Sequence, residues 1–369
     1  MDIKSLRTPC FLIDRKIVQA NCQRVLDKAK QLNVKLRPHV KTHKTIEGAL
    51  LQNGGQKGPI AVSTMAEARF FADHGFDDIL YAFPVTPDKF DEISKLNKII
   101  KFSVLSDSIS VLEQLNEFLD KSDTLIGVLL KVDAGAGRAG FHYTKTGEIS
   151  EAAIRVNQLK NLKLKGVLSH AHHSYQAKNR DESWYYINQE NRNLESVIQN
   201  LDKRDTSISV ISTGSTPTTL NQSEAGVTTE IRPGNYSLFD RFQADIGSCS
   251  REDIAGSVLA RIAGHYPYRN QMLIDAGALA FSKDQGATHA RNKITYGEAK
   301  DYPDLQVMHI SQEHGLVGSD QPIPFDQFPI GTQLKFIPNH SCLTAACFDT
   351  YFIEDDGSIV DEWKPAKGW

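Results

Sequence analysis

No excess of one charge sign marks this chain: 42 Lys and Arg stand against 45 Asp and Glu, a formal net charge of −3. That gives no electrostatic reason to expect nucleic acid, and no basic run or basic amphipathic helix suggests an anionic membrane surface. No stretch approaches the roughly 20 apolar residues of a membrane span, and the opening MDIKSLRTPC lacks the apolar core of a signal peptide. A soluble cytoplasmic protein is expected. Cysteine is scarce as well. Cys10, Cys22, Cys249, Cys342 and Cys347 are odd in number, scattered and without CxxC spacing, which argues against a disulfide framework. Any cysteine that matters here matters as a thiolate. Low-complexity segments and repeats of residue identity are also missing.

What the chain does have is alternation. Its 369 residues suit one large domain with a second, or two of similar size. Short apolar or β-branched runs occur at 35–41, 58–64, 77–83, 99–106, 125–133, 164–172, 207–214 and 228–234. Between them lie segments with helical spacing, such as DRKIVQANCQRVLDKAKQL, MAEARFFADHG, DSISVLEQLNEFLD, KTGEISEAAIRVNQL and DESWYYINQENRNLESVIQNL, several opening on Asp, Ser or Thr as caps. Eight strands alternating with helices match the rhythm of a (β/α)8 TIM barrel. A doubly wound open sheet competes, and the count of eight favours the barrel. After about residue 245 the rhythm turns to strand-like pieces separated by Gly, Pro, Asn and Asp. The expected division is an α/β barrel over 14–244 and a smaller β domain of 1–13 and 245–369, although the N-terminal dozen residues, which precede the first barrel helix, could add a strand to either unit.

Barrel enzymes build their sites at the C-terminal ends of strands. Reactive residues collect there: Lys41 and His43, Ser63 and Thr64, Asp133 with Arg138, His170 and His172, Thr213 to Thr216, and Arg232 to Tyr236. STGST (212–216) and RPGNY (232–236) put glycine among hydroxyl and amide groups after the seventh and eighth strands, where barrels hold a phosphate with backbone N–H groups. Either loop alone would read as a tight turn; together they favour a phosphate. A phosphorylated cofactor beside a strand-end lysine suggests pyridoxal 5'-phosphate, whose aldehyde forms a Schiff base with an amine.

The order HVKTHK, VDAGAGRAGF (132–141), GVLSHAH (166–172), STGST and EIRPGNY resembles the alanine racemase-type barrel, fold type III of the pyridoxal phosphate enzymes. PNHSC (338–342), RPHVKTHK and AFSKDQG (280–286) bring it closer to eukaryotic-type D-serine dehydratase and D-threonine aldolase. The resemblance implies that Lys41 is the lysine bonded to the cofactor, with Lys44 a surface or supporting charge one step into the next helix. It implies Arg138 near the phenolic oxygen, His170 on the ring, and a phosphate cradle of Gly214, Ser215, Thr216, Gly234, Asn235 and Tyr236. The pyridine nitrogen falls to Arg232 or to Tyr175.

His340 and Cys342, if extended, point to one face, and imidazole plus thiolate suits zinc. Two protein ligands leave two of zinc's four positions open, as a catalytic site requires. Aldolases are expected to prefer a harder oxygen-ligand site, so Cys342 favours the dehydratase. The implied reaction is dehydration of D-serine: Lys41, freed by the substrate, removes the α-proton, zinc draws off the β-oxygen, and pyruvate and ammonia result. A D-threonine aldolase would share lysine and metal while breaking Cα–Cβ. A non-catalytic carrier of the same cofactor would have no need of the second domain. The His170-x-His172 pair at a strand end could instead serve a metal-dependent hydrolase. The resemblance also implies a homodimer.

Overall fold

The computed structural model describes residues 1–120 and 124–369. Its contacts divide the chain into two units, 23–234 with 366–369, and 1–22 with 235–365.

In the first unit all eight expected strands form, in the order expected. They are Lys35–Leu36, Ile60–Val62, Asp78–Pro84, Lys101–Ser106, Ile126–Asp133, Leu162–Leu168, Val210–Thr213 and Glu230–Ile231. Each pairs in parallel with its neighbour, and Glu230–Ile231 returns to Lys35–Leu36. A parallel bridge between His39 and Ala61 joins the first strand's continuation to the second and completes the ring. The strands read as apolar runs because helices cover their outer faces; every residue of Ile126–Asp133 is buried. Ala61, Leu80, Leu105, Leu129 and Leu168 form a separate buried cluster that also packs against Ala82 and Val210. The sheet is therefore a TIM-like barrel and not an open doubly wound sheet.

The helices follow their sequence signals. Arg15–Gln31, Met65–Asp73, Ile109–Leu119, Thr146–Gln158 and Arg180–Asp202 match the five periodic segments. Thr64, Ser108 and Asn179 cap three of them, each side-chain oxygen accepting a backbone N–H of the first turn. The opening strand is shorter than its apolar run. Pro38 has no N–H to continue a ladder, and after His39 the chain turns into a single 3-10 turn, Val40–Thr42.

The second unit is antiparallel. Strands Gly256–Tyr266, Gln271–Ile274, Gly315–Gly318, Gln306–Ile310, Gly297–Ala299 and Gln333–Pro338 pair in that circular order, Gln333–Pro338 closing on Gly256–Tyr266. Cys10–Asp14 joins this sheet, antiparallel to Gly256–Tyr266 and parallel to Tyr351–Asp355. The amino-terminal strand thus belongs to the β unit. Two pieces that read as strand end in helix: Ala278–Phe281 follows Gln271–Ile274, and Ser341–Ala346 follows Gln333–Pro338. None of the five cysteines forms a disulfide. Among the described residues no helix is long and apolar enough to cross a membrane.

Candidate active site

Pro38 is the reason Lys41 emerges where it does. Its carbonyl accepts from Ala61 N at 2.9 Å, and His39 N donates to Pro233 O at 2.9 Å, so the chain is pinned on both sides as it leaves the strand. The 3-10 turn then presents Lys41 half-buried at the barrel's C-terminal end. Lys41 forms no ion pair among the described residues. Lys44, also half-buried, differs in having a partner. It stands in the left-handed region at φ 56°, before the helix Ile46–Gln52 rather than in it, and pairs with Glu67 at 3.0 Å.

Two imidazoles share the electrostatics of Lys41. His39 Nδ1 accepts from Lys41 N at 3.4 Å, which directs Nε2–H towards Ser63 Oγ, also at 3.4 Å. His170 donates from Nδ1 to Gly214 O at 3.0 Å. Burial, then the charge of Lys41, holds both rings well below the usual histidine range, with Arg232 acting in the same sense on each. Both are neutral at pH 7. The motif order identified His170; the only signal for His39 was its place in the polar run after Pro38.

Arg232 is held from below. Its Nε donates to Ser212 Oγ at 2.7 Å, and Ser212 donates to Glu230 Oε1 at 2.6 Å. Arg37 Nε meets Glu230 at 3.0 Å and Arg37 Nη1 meets Asp78 at 2.7 Å. On the other side Arg232 Nη2 donates to the carbonyls of Ser169 and Ser212, and Ser169 Oγ donates to buried Glu190 at 2.7 Å. Burial lowers Arg232 to about 10, opposed by Glu230 and Glu190. Lys131, in the same charge cluster, is lowered to about 7 by burial and then by Arg232. Glu190 and Lys131 gave no sequence signal of their own.

The loop after the seventh strand has the form of an anion cradle. Gly214 lies at φ 110°, where a Cβ would come 3.2 Å from Thr219 Oγ1 and 3.3 Å from Arg232 N. A Cβ on Gly234 would meet His39 O at 2.7 Å. Thr216 Oγ1 and Thr219 Oγ1 are buried with no hydrogen-bond partner among the described residues, which fits a bound phosphate. Ser215 is otherwise engaged: its hydroxyl accepts from Thr218 N and meets Ser174 Oγ at 2.8 Å, while its N–H donates to Thr218 Oγ1.

Arg138 is exposed on a loop that Asp133 shapes by accepting the N–H groups of Gly135, Ala136 and Gly137. Tyr175 lies on the turn His172–Gln176, its ring 6.3 Å from His170 and 5.9 Å from His172 between centroids. Among the described residues no group of three or more His, Cys, Asp or Glu gathers to hold a metal, either at His170 and His172 or at His340 and Cys342.

In the β unit, the expectation that His340 and Cys342 share a face by strand alternation is corrected. The strand ends at Pro338; His340 caps the helix Ser341–Ala346 and Cys342 sits in its first turn. Imidazole and thiol still meet. His340 meets both Cys342 and, at 3.1 Å from Nδ1, Asp284 Oδ2. Around them Asn235 Nδ2 donates to Asp240 Oδ2 at 2.7 Å and Ser341 Oγ at 3.0 Å and lies 3.6 Å from Cys342 Sγ. Tyr236 is fully buried. One imidazole and one thiol fit a zinc site that keeps positions open.

Residues 13–241 match the family model described as alanine racemase, N-terminal domain, and residues 255–354 match a putative serine dehydratase domain. A D-serine dehydratase of Dictyostelium discoideum is 36% identical, with 100% of this chain and 98% of that one covered. The solved D-threo-3-hydroxyaspartate dehydratase of Delftia sp. HT23 superposes with a TM-score of 0.94 at 30% identity, covering 100% of both chains. A variant of the D-threo-3-hydroxyaspartate dehydratase with a cysteine replaced by alanine, described as metal-free, gives 0.95 at 29%, again over 100% of both.

Proposed function

The chain belongs to the alanine racemase N-terminal domain family, and from that premise we propose that it is a pyridoxal phosphate- and zinc-dependent lyase that eliminates water from D-serine, giving pyruvate and ammonia. The observation that carries this reading is the full-length likeness to the Dictyostelium D-serine dehydratase, because it extends through the β unit as well as the barrel.

Lys41 is assigned the covalent bond to the cofactor and, once released from it, the α-proton, which its Nζ takes up. The cofactor supplies an electron sink for the charge left on Cα. Neutral His39 and His170 flank that amine without adding charge, and His170 is assigned to the ring face. The cationic surroundings of Arg232 and Lys131 suit a phosphate and a substrate carboxylate. Gly214, Thr216 and Gly234 are assigned to the phosphate, with Ser215, Asn235 and Tyr236 assigned there by the resemblance and Arg138 assigned to the phenolic oxygen. Because Arg232 Nε and Nη2 are committed to Ser212 and Ser169, the ring nitrogen is assigned to Tyr175 ahead of Arg232. Hydroxide is a poor leaving group, and zinc supplies the Lewis acidity its departure needs. His340 and Cys342 are assigned to hold the metal. We place the enzyme in the cytoplasm, where unpaired cysteines persist, as a homodimer.

Incubation with D-serine and with D-threonine tests the reaction. Pyruvate and ammonia from D-serine support it; glycine and acetaldehyde from D-threonine, with no keto acid from either, would replace it with the aldolase.

A further inference from the structure

AFSKDQG, the motif that the assignments above leave without a role, folds into a tight turn. Ser282 at φ 66° and Gly286 at φ 70° bracket it in the left-handed region. Asp284 sits at its centre, where Oδ1 accepts from Gly286 N at 2.7 Å and Asp284 N donates to Ser282 Oγ at 3.2 Å. One carboxylate oxygen is thus held by the turn itself. The other, Oδ2, lies 3.1 Å from His340 Nδ1.

The two segments are 56 residues apart in the chain but are tied by more than this contact. Asn339, immediately before His340, donates from Nδ2 to Asp284 O at 3.0 Å and to Thr295 O, and accepts from Arg291 Nη1 at 2.9 Å. The backbone leading into His340 and the turn presenting Asp284 therefore move as one piece. Both side chains are only partly exposed, 35% for His340 and 27% for Asp284, and a carboxylate can only accept.

We propose that Asp284 is the positioning residue of the metal site: by accepting from Nδ1–H of His340 it fixes the tautomer that leaves Nε2 free to bind zinc and sets the plane of the ring. This rests on the zinc reading above. A carboxylate behind a metal-bound imidazole raises the basicity of the ligand nitrogen. A site with only two protein donors has little else with which to hold its metal.

The test is zinc affinity of the full-length, cofactor-loaded chain, stripped of metal and titrated against a chromophoric chelator. Asp284→Ala should weaken zinc about 10–100-fold while the cofactor absorbance stays put. Asp284→Asn keeps an acceptor for Gly286 N–H without the charge and should fall between. Affinity in Asp284→Ala indistinguishable from that of the unaltered chain overturns the inference; should that variant fail to fold, unchanged affinity in Asp284→Asn does so. If the unaltered chain takes up no zinc, the metal reading itself fails, which is seen before any variant is made.

Discussion

The ring of His43 fills the space above Gly48: a Cβ on Gly48 would come 2.7 Å from its Cγ and Cε1 and closer still to Nδ1. The imidazole cannot easily retreat. Thr45 N donates to Nδ1 at 3.0 Å and Nε2 meets Gln52 Oε1 at 3.0 Å, all of it buried.

Gly48→Ala is therefore expected to destabilise the protein. Within a helix the change would ordinarily gain about 0.5–1 kcal/mol. Here the overlap with a fixed ring should cost about 1–3 kcal/mol and outweigh that gain. A lower urea midpoint in Gly48→Ala checks it; an unchanged or higher midpoint contradicts it.

His43 also predicts a pH dependence. Burial pushes its pKa down to about 4, against about 6.5 in an unfolded chain. Above about pH 6.5 neither state is protonated and the ring contributes nothing to the slope. As pH falls from about 6.5 towards 4 the unfolded chain takes up a proton the folded one refuses, so stability is lost across that window, by about 3 kcal/mol at its end. His39 and His170, also lowered, add in the same direction. Unfolding free energies at about pH 7 and 4.5 measure the loss, and His43→Gln should flatten part of it.

Lys41→Ala should leave the fold intact, since Lys41 is half-buried and forms no ion pair among the described residues. Turnover of D-serine should drop by at least about 10²–10⁴-fold. Borohydride should no longer fix cofactor to the chain, which mass spectrometry of the reduced protein reads directly.

Exhaustive chelation should abolish pyruvate formation while leaving the visible absorbance of the bound cofactor, and added zinc should restore turnover. Full activity after verified removal of metal would exclude a role for zinc at His340 and Cys342.

The barrel was legible because its signals are local. Eight apolar runs and five periodic helices keep their positions, and Thr64 and Ser108 announce helix starts within a few residues of the apolar stripe they open. The positions of the polar strand ends were legible for a related reason: Lys41, His170 and Arg232 each follow an apolar run and stand past the end of their strand in the structure. What escaped depends on distant partners. Glu190 is one polar residue on a long helix until Ser169 is placed beside it, and Asp284 is a turn aspartate until His340 arrives. The geometry of His340 and Cys342 was misjudged because an apolar run ending in PN looks like a strand that continues. Pro338 ends it, and Asn339, bound to Asp284 and Thr295, redirects the chain into a helix.

The bridge between His39 and Ala61 lies two residues before Lys41. Closure of the cylinder and placement of the amine thus share one seam: the contact that joins the first strand's continuation to the second also holds one side of the stretch that carries Lys41, the other side being held by His39 N on Pro233 O. A substitution that loosens this seam should therefore weaken the hold on the lysine as well as on the barrel.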